Sequence, residues 1–313
     1  MIIIFSKNRA FQLEACLRTL LVQCADVATL PICILWTASS SEHRQSYAIL
    51  HEVFRRLACL QFIEESSFRA DLISILGNIA AGSWRARMIR RWQKGSAPGN
   101  HIDAWKTNLL LNPSPAALFV VDDTLFLRPF HFAQCSRQLW AKDDAIAFSL
   151  RLGQGLTHFY MGNRDQKIPP LLPVDKDSLV YQFRWPEADG DFAYPLEISS
   201  SLLKPRFLLP RLLRKPWHSP NTLELALANM TGRYKWRHPL LLTFQEPRAV
   251  SVPLNIVQKD FTGNRFGGKE RYQADSLCRL FLEGVRADLS RLNHVPHTSV
   301  HVETELLPSS HKT

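Results

Sequence analysis

The sequence has neither a long apolar run nor a paired-cysteine motif. No stretch approaches the roughly 20 apolar residues that a spanning helix needs, and residues 1–5 lack the basic start and extended apolar region of a signal peptide. The six cysteines are scattered without a C-x-x-C pair, as expected of reduced, buried thiols rather than a disulfide framework. We therefore expect a cytoplasmic protein.

The glycine motifs of common nucleotide-binding enzymes are also missing. Residues 151–155 hold two glycines but neither G-x-G-x-x-G nor G-K-[ST], which excludes a dinucleotide-binding fingerprint and a P-loop. Ser6 and Ser149 lack the glycines of a nucleophile elbow, which argues against a serine hydrolase.

Acids are scarce relative to bases, and the 313 residues carry a formal net charge of +10. Such a charge favours an acidic partner: nucleic acid, a phosphate-bearing ligand or an anionic membrane. Residues 84–94 and 204–218 are basic, contain tryptophan and contain no acid. They are either solvated faces or a peripheral contact with anionic lipid at the inner face of a membrane. Without a recognised RNA or DNA motif, we expect no nucleic-acid partner.

Apolar patterning predicts an α/β fold. Short apolar runs at residues 2–5, 32–36, 60–63 and 117–121 alternate with helical patterns, one of them around residues 102–109. Near-continuous apolar strands indicate a mostly parallel sheet flanked by helices. Beyond Asp123, repeated prolines break the chain into loops, so we expect one domain with two halves, residues 1–127 and a loop-rich 128–293, and a flexible tail at 294–313. Residues 94–100 are a predicted loop near the ligand.

Two adjacent carboxylates, Asp122 and Asp123, follow the last of these apolar runs. Ligands of open α/β sheets bind at the carboxyl ends of the strands. One acid could reach a ribose hydroxyl while the other coordinates Mn²⁺ or Mg²⁺ together with substrate phosphates. The plain alternative is that both simply form the turn after a strand.

These features resemble one known family. Residues 3–9 followed by an amphipathic helix, and the Asp pair after the third or fourth β–α unit, resemble GT-A glycosyltransferases, especially bacterial family 2-like enzymes. Further similar segments follow in order at residues 148–153, 191–196, 219–224, 252–258 and 264–265.

The resemblance implies a GT-A-like (Rossmann-like) fold with a nucleotide-sugar-binding half and an acceptor-binding half. It implies metal-assisted, inverting transfer of a sugar from a nucleotide-sugar donor, with UDP favoured, to a glycan or lipid-linked glycan in bacterial polysaccharide biosynthesis. The residues it assigns are Ser6, Asn8 and Arg9 in the base and ribose pocket, Asp71 on a uracil-like base, Asp122 on the ribose and Asp123 on the metal. Arg9 could instead be a solvated residue of a helix's first turn, and Asp71 a carboxylate at a helix N-terminus.

Inverting transfer also needs a carboxylate to deprotonate the acceptor. Acids crowd residues 187–197, and we expect Asp191 to be this base, although loop acids often only form turns. Residues 199–201 are three serines where related sequences suggest an Asp-Gly-His-like element. The alternative is therefore a catalytically altered nucleotide-binding or scaffold protein of the same fold. His294, His297 and His301 form a weaker metal-like pattern.

Overall fold

The computed structural model describes residues 1–80, 116–176, 178–258, 265–290, 292 and 297–308. The basic segment at residues 84–94, the predicted loop at 94–100, the predicted helix at 102–109 and His294 lie outside the described residues.

The first part of the chain alternates strands and helices, as the apolar pattern predicts. Its elements are β1 (Ile2–Lys7), α1 (Ala10–Gln23), β2 (Ile32–Thr37), α2 (Ser41–Phe54), β3 (Leu60–Glu64), α3 (Phe68–Ala80) and β4 (Ala117–Val121). Ser40 is the N-cap of helix α2, because its side-chain hydroxyl accepts a hydrogen bond from the backbone N–H of His43.

The second part has shorter elements and longer connections. Its strands are β5 (Thr124–Phe126), β6 (Ala145–Ser149), β7 (His158–Phe159), β8 (Arg164–Asp165), β9 (Leu172–Pro173), β10 (Val180–Arg184), β11 (Ser200–Leu203), β12 (Leu240–Phe244) and β13 (Ala249–Ser251). Its helices are α4 (Phe132–Ala141), α5 (Pro205–Leu212), α6 (Pro220–Ala228) and α7 (Ala274–Leu282).

Among the described residues, one sheet runs through both parts in the order β3-β2-β1-β4-β11-β6-β12-β10-β9. The strands from β3 to β4 are parallel, and β11 inserts antiparallel between β4 and β6. Strand β1 is buried on both faces, since Ile2 and Ile4 belong to one core cluster and Ile3 and Phe5 to the other. The predicted α/β fold, with a mainly parallel central sheet flanked by helices, is therefore confirmed.

The end of the described chain is packed rather than frayed. The backbone N–H of Ser251 donates to the carbonyl of Val300, and that of Val302 donates to the carbonyl of Ser251, both at 2.9 Å. Val302, Leu306 and Leu307 belong to a core cluster. The predicted flexible tail is wrong for residues 297–308, because apolar side chains in this segment bury themselves against β13 and the core.

All six cysteines are free thiols, and five of them are buried, with Cys59 partly buried. Burial raises the pKa of each thiol. Within the described ranges, no helix combines the length and apolar character needed to cross a membrane.

Candidate functional site

Two adjoining cavities lie at the carboxyl ends of β1 and β4. The larger has a volume of about 330 Å³ and the smaller about 160 Å³. Asp122 lines the larger cavity and Asp123 the smaller one. Both cavities share the lining residues Arg9, Val121, Asn221 and Gln258. Asp122 and Asp123 therefore lie at the boundary between the two cavities.

Asp122 is held by hydrogen bonds to both of its oxygens. Its Oδ2 accepts from the Ser6 hydroxyl at 2.8 Å, and its Oδ1 accepts from Arg9 Nη1 at 3.0 Å. The Ser6 hydroxyl also lies 2.6 Å from that of Tyr47. Burial raises the pKa of Asp122, and the Arg9 charge opposes that increase. These contacts fix the carboxylate at the cavity wall.

Arg9 is largely buried and connects distant parts of the chain. Its Nε donates to Asn255 Oδ1 at 2.8 Å, and its Nη2 donates to the Asn255 backbone carbonyl. Its Nη1 also lies 3.5 Å from Asp123 Oδ2. The side chain is 12% exposed, so the solvated alternative for Arg9 is wrong.

Asn8 and Asp71 lie outside the lining of both cavities. Asn8 has a φ of 56°, and its amide exchanges two hydrogen bonds with Ser39, at 2.6 and 2.8 Å. Asp71 Oδ2 accepts from the backbone N–H groups of Ser66 and Ser67, both at 2.9 Å. Asn8 thus stabilises a turn and Asp71 caps the start of α3, and their assignment to the nucleotide pocket stays a prediction.

Asp123 carries an unsatisfied oxygen. Its Oδ1 is buried without a hydrogen-bond partner among the described residues, and burial raises the pKa of the carboxyl to about 6. His301 lines the same cavity, and its Nδ1 is likewise buried and unpartnered in the described structure. Burial lowers the pKa of His301 to about 3, so the imidazole is neutral and able to bind a metal.

Within the described ranges, no cluster of three or more His, Cys, Asp or Glu side chains could enclose a metal ion by itself. Asp123 and His301 nevertheless line the same cavity, and the unpaired oxygen of the one and the unpaired nitrogen of the other fit a divalent cation whose other ligands are substrate phosphates and water. Of the three histidines with metal-like spacing, His301 reaches the cavity and His297 is not among its lining residues.

A second buried ion pair lies beside the smaller cavity. Arg151 Nη2 contacts Glu197 Oε2 at 3.0 Å, and Arg151 Nη1 donates to the Ser251 hydroxyl at 2.9 Å. The Glu197 carboxylate also accepts hydrogen bonds from the backbone N–H groups of residues 199 and 200 and from the Ser201 hydroxyl. Residues 199–201, the serines that depart from related sequences, therefore donate hydrogen bonds to the buried carboxylate of Glu197.

Glu224, on α6, is a site residue to which the sequence analysis gave no role. It lines the smaller cavity with Asp123 and accepts a hydrogen bond from the Ile198 backbone N–H at 3.3 Å. Burial raises the pKa of Glu224 to about 7, with a further increase from Glu197 and an opposing effect of Arg151. Its position in the second turn of a capped helix is the sequence signal that could have pointed to it.

Asp191, the predicted base, lies in a short 3₁₀ turn (Gly190–Ala193). Its Oδ2 accepts from Gln166 Nε2 at 3.2 Å, and its backbone N–H donates to Gln166 Oε1 at 2.8 Å. Burial raises its pKa to about 6. Asp191 is not among the lining residues of either cavity, so the structure does not bring it together with Asp122 and Asp123.

No protein-family model matches the chain. Over 216 residues the chain is 24% identical to the bifunctional glycosyltransferase pgtA of Dictyostelium discoideum, which aligns 65% of this chain with 23% of that protein. The chain thus spans about a quarter of the length of this relative.

Two solved glycosyltransferases overlap with the chain at low scores. Apo mouse xyloside xylosyltransferase 1 matches at a TM-score of 0.31 and 12% identity over 76% of each chain. Galactosyltransferase LgtC, in complex with donor and acceptor sugar analogues, matches at 0.32 and 13% over 89% of this chain and 95% of its own. The chain is therefore similar in sequence to a segment of a glycosyltransferase.

Proposed function

We propose that the chain is a nucleotide-sugar-dependent glycosyltransferase, with the nucleotide in the larger cavity and the transferred sugar in the smaller one. The observation that supports this most directly is that Asp122 and Asp123, adjacent in sequence, line different cavities. A nucleotide sugar has the same division, because a diphosphate joins its nucleoside to its sugar. The sequence similarity to pgtA supports the same reaction class.

On the nucleotide side, Asp122 and Arg9 would hold the ribose and the diphosphate. The Asp122 oxygens accept hydrogen bonds from Ser6 and Arg9 and keep capacity to accept another from a ribose hydroxyl. Arg9 uses three of its five N–H groups within the protein. The remaining N–H groups of Arg9 can donate to phosphate oxygens where the two cavities meet, because Arg9 lines both cavities.

On the sugar side, Asp123 and His301 would hold Mn²⁺ or Mg²⁺. When bound there, the cation supplies charge neutralisation for the departing diphosphate. Asp123 contributes its unpaired Oδ1, and His301 contributes a neutral imidazole nitrogen. Substrate phosphates would supply the ligands that the protein lacks.

Glu224 would act as the general base that deprotonates the acceptor hydroxyl. It lines the sugar-side cavity, and its hydrogen bond from Ile198 orients the carboxylate. A carboxyl with a pKa near the working pH suits this role. Asp191 is the alternative base. The acceptor would be a glycan or lipid-linked glycan, and transfer would invert the anomeric centre.

A basic surface could bring the enzyme to a lipid-linked acceptor. We define it as the exposed cations of α5 with its following turn and of residues 231–238: Arg211, Arg214, Lys215, Arg233, Lys235 and Arg237. None of these has a carboxylate partner among the described residues, and Trp236 beside them is 84% exposed. Exposed cations around a tryptophan suit an anionic lipid surface.

The alternative is a nucleotide-binding protein of the same fold that has lost catalysis. The three serines at residues 199–201 suggested it, but they bind Glu197, and Glu224 still provides an acid in the cavity. Nucleotide binding without sugar transfer would favour this alternative over the enzyme.

The first experiment is thermal unfolding with nucleoside diphosphates and nucleotide sugars, each with and without Mn²⁺. A ligand at a hundred times its Kd stabilises the folded state by about 2.7 kcal/mol. We expect a metal-dependent rise in Tm in the wild type and in Asp175→Ala, an exposed acid outside both cavities. Asp123→Ala should lose that rise. If no nucleotide raises the Tm of the wild type, the donor site does not exist.

A further inference from the structure

Two oppositely charged side chains, Lys7 and Glu65, line the larger cavity. Lys7 ends β1 and Glu65 directly follows β3, and both line this cavity. In the described structure neither side chain makes a hydrogen bond or an ion pair. Burial raises the pKa of Glu65, and Lys7 opposes that increase. Lys7 is exposed and Glu65 is partly buried, so a ligand in this cavity can reach both charged groups.

Asp71, the residue expected to contact a uracil-like base, does not line either cavity. Its carboxylate already accepts hydrogen bonds from residues 66 and 67 at the start of α3. Glu65 lies at the same end of the sheet and lines the cavity, whereas Asp71 does not. Leu35 and Phe68 line the cavity as well and offer apolar surface for the faces of a base.

We infer, on the basis of the proposed function, that Glu65 and Lys7 recognise the base of the donor nucleotide and select guanine. A carboxylate presents two acceptor oxygens side by side. Guanine presents two neighbouring donors, N1–H and the N2 amino group, next to the acceptor O6. Glu65 would accept both N–H groups, and the Lys7 ammonium would donate to O6.

The other bases match this pair of side chains less well. Uracil has a single N–H between two carbonyl groups, so one Glu65 oxygen would face a carbonyl oxygen. Adenine and cytosine each place one amino group beside a ring nitrogen that is an acceptor, which again leaves one carboxylate oxygen facing an acceptor. Guanine alone satisfies both oxygens, and unpaired acceptors in a binding site disfavour the wrong ligand.

Titration calorimetry with GDP, UDP, CDP and ADP in the presence of Mn²⁺ tests the inference. The variant is Glu65→Gln, and the matched control is Glu64→Gln, whose side chain pairs with Arg44 outside the cavity. We expect GDP to bind at least about tenfold more tightly than the others, as a bidentate contact to a base provides. Glu65→Gln should lower GDP affinity by a similar factor, and Glu64→Gln should leave it unchanged.

The possible outcomes separate this inference from the proposed function. Metal-dependent binding that is tighter for UDP than for GDP would overturn guanine selection and leave the donor site standing. Unchanged GDP affinity in Glu65→Gln would overturn the role of Glu65. Lys7→Gln, which should also weaken GDP binding selectively, keeps the test valid if Glu65→Gln does not fold. Absence of binding by all four nucleotides would overturn the donor site and the inference with it.

Discussion

Two buried arginine–carboxylate pairs flank the site, and they differ in what lies beside them. Arg9–Asp122 and Arg151–Glu197 both have N–O distances of 3.0 Å and side chains at most 12% exposed. In each pair, hydroxyl, amide or backbone groups make further hydrogen bonds to the charged side chains. The first pair adjoins Asp123, which has an unpaired oxygen, and the second adjoins Glu224, which has one hydrogen bond from a backbone amide.

This comparison suggests a division of roles. The paired carboxylates stabilise the walls of the site, since a buried charge is tolerated when it is paired and hydrogen-bonded. The neighbouring acids remain under-bonded, and burial raises the pKa of both. Under-bonded acids facing a cavity are suited to bind a cation or to accept a proton.

The largest expected effect comes from removing the charge of Glu224. Glu224→Gln should lower kcat by about 10²- to 10⁴-fold, the usual contribution of a general base. Because the base must be ionised and the pKa of Glu224 is raised to about 7, kcat/KM should increase with pH between about 6 and 8. The variant should lose this increase. Initial rates of sugar transfer across this pH range provide the measurement.

Asp191→Asn is the matched control for the base, since Asp191 is also a carboxyl of raised pKa but lies outside the cavities. It should retain most of the activity and the pH dependence. If instead Asp191→Asn abolishes turnover and Glu224→Gln does not, the base is Asp191, as the sequence analysis expected.

The next largest effect is expected on stability, when the Arg151–Glu197 ion pair is broken. Arg151→Met leaves Glu197 buried without its cation, which should lower the free energy of unfolding by about 3–5 kcal/mol. The double variant Arg151→Met/Glu197→Gln should recover part of this loss. Urea denaturation measures both. A single variant within about 0.5 kcal/mol of the wild type, the range of ordinary surface substitutions, would contradict the structural role of the pair.

The smallest expected effect concerns the cations of the basic surface, which have no carboxylate partner among the described residues. Replacing Arg214, Lys215 and Lys235 by Gln should weaken binding to phosphatidylserine-containing vesicles by about 1 kcal/mol, or fivefold, per charge. Vesicle co-sedimentation measures it. The control replaces Arg56, Lys167 and Lys176, three exposed cations elsewhere. Equal losses in both triple variants would mean that net charge, not this surface, governs the binding.

Local sequence determines some features of this molecule well. The apolar runs predict the parallel strands, and the Asp122–Asp123 pair is predictable because it directly follows β4. Asn8 and Asp71, which the family resemblance assigns to the nucleotide pocket, make hydrogen bonds to neighbouring hydroxyl and amide groups that the resemblance did not predict.

The rest of the site depends on segments far apart in sequence. Glu65, Glu224 and His301 line the same cavities as the Asp pair only after folding. Glu65 is brought there by the parallel pairing of β3, β2, β1 and β4, and the other two by the insertion of β11 into the sheet and the packing of residues 297–308. No local pattern encodes these pairings. The role of the serines at residues 199–201 is likewise visible only in the folded chain, where the Ser201 hydroxyl donates a hydrogen bond to Glu197.

The buried thiols have a consequence for the chemistry of the intact protein. Since burial raises the pKa of all six, few thiolates form at neutral pH, and alkylating or oxidising reagents should react slowly with the folded chain. Cys33 lies in β2 and Cys135 in α4. The labelling rates of these two thiols therefore report how often β2 and α4 become exposed by opening of the fold.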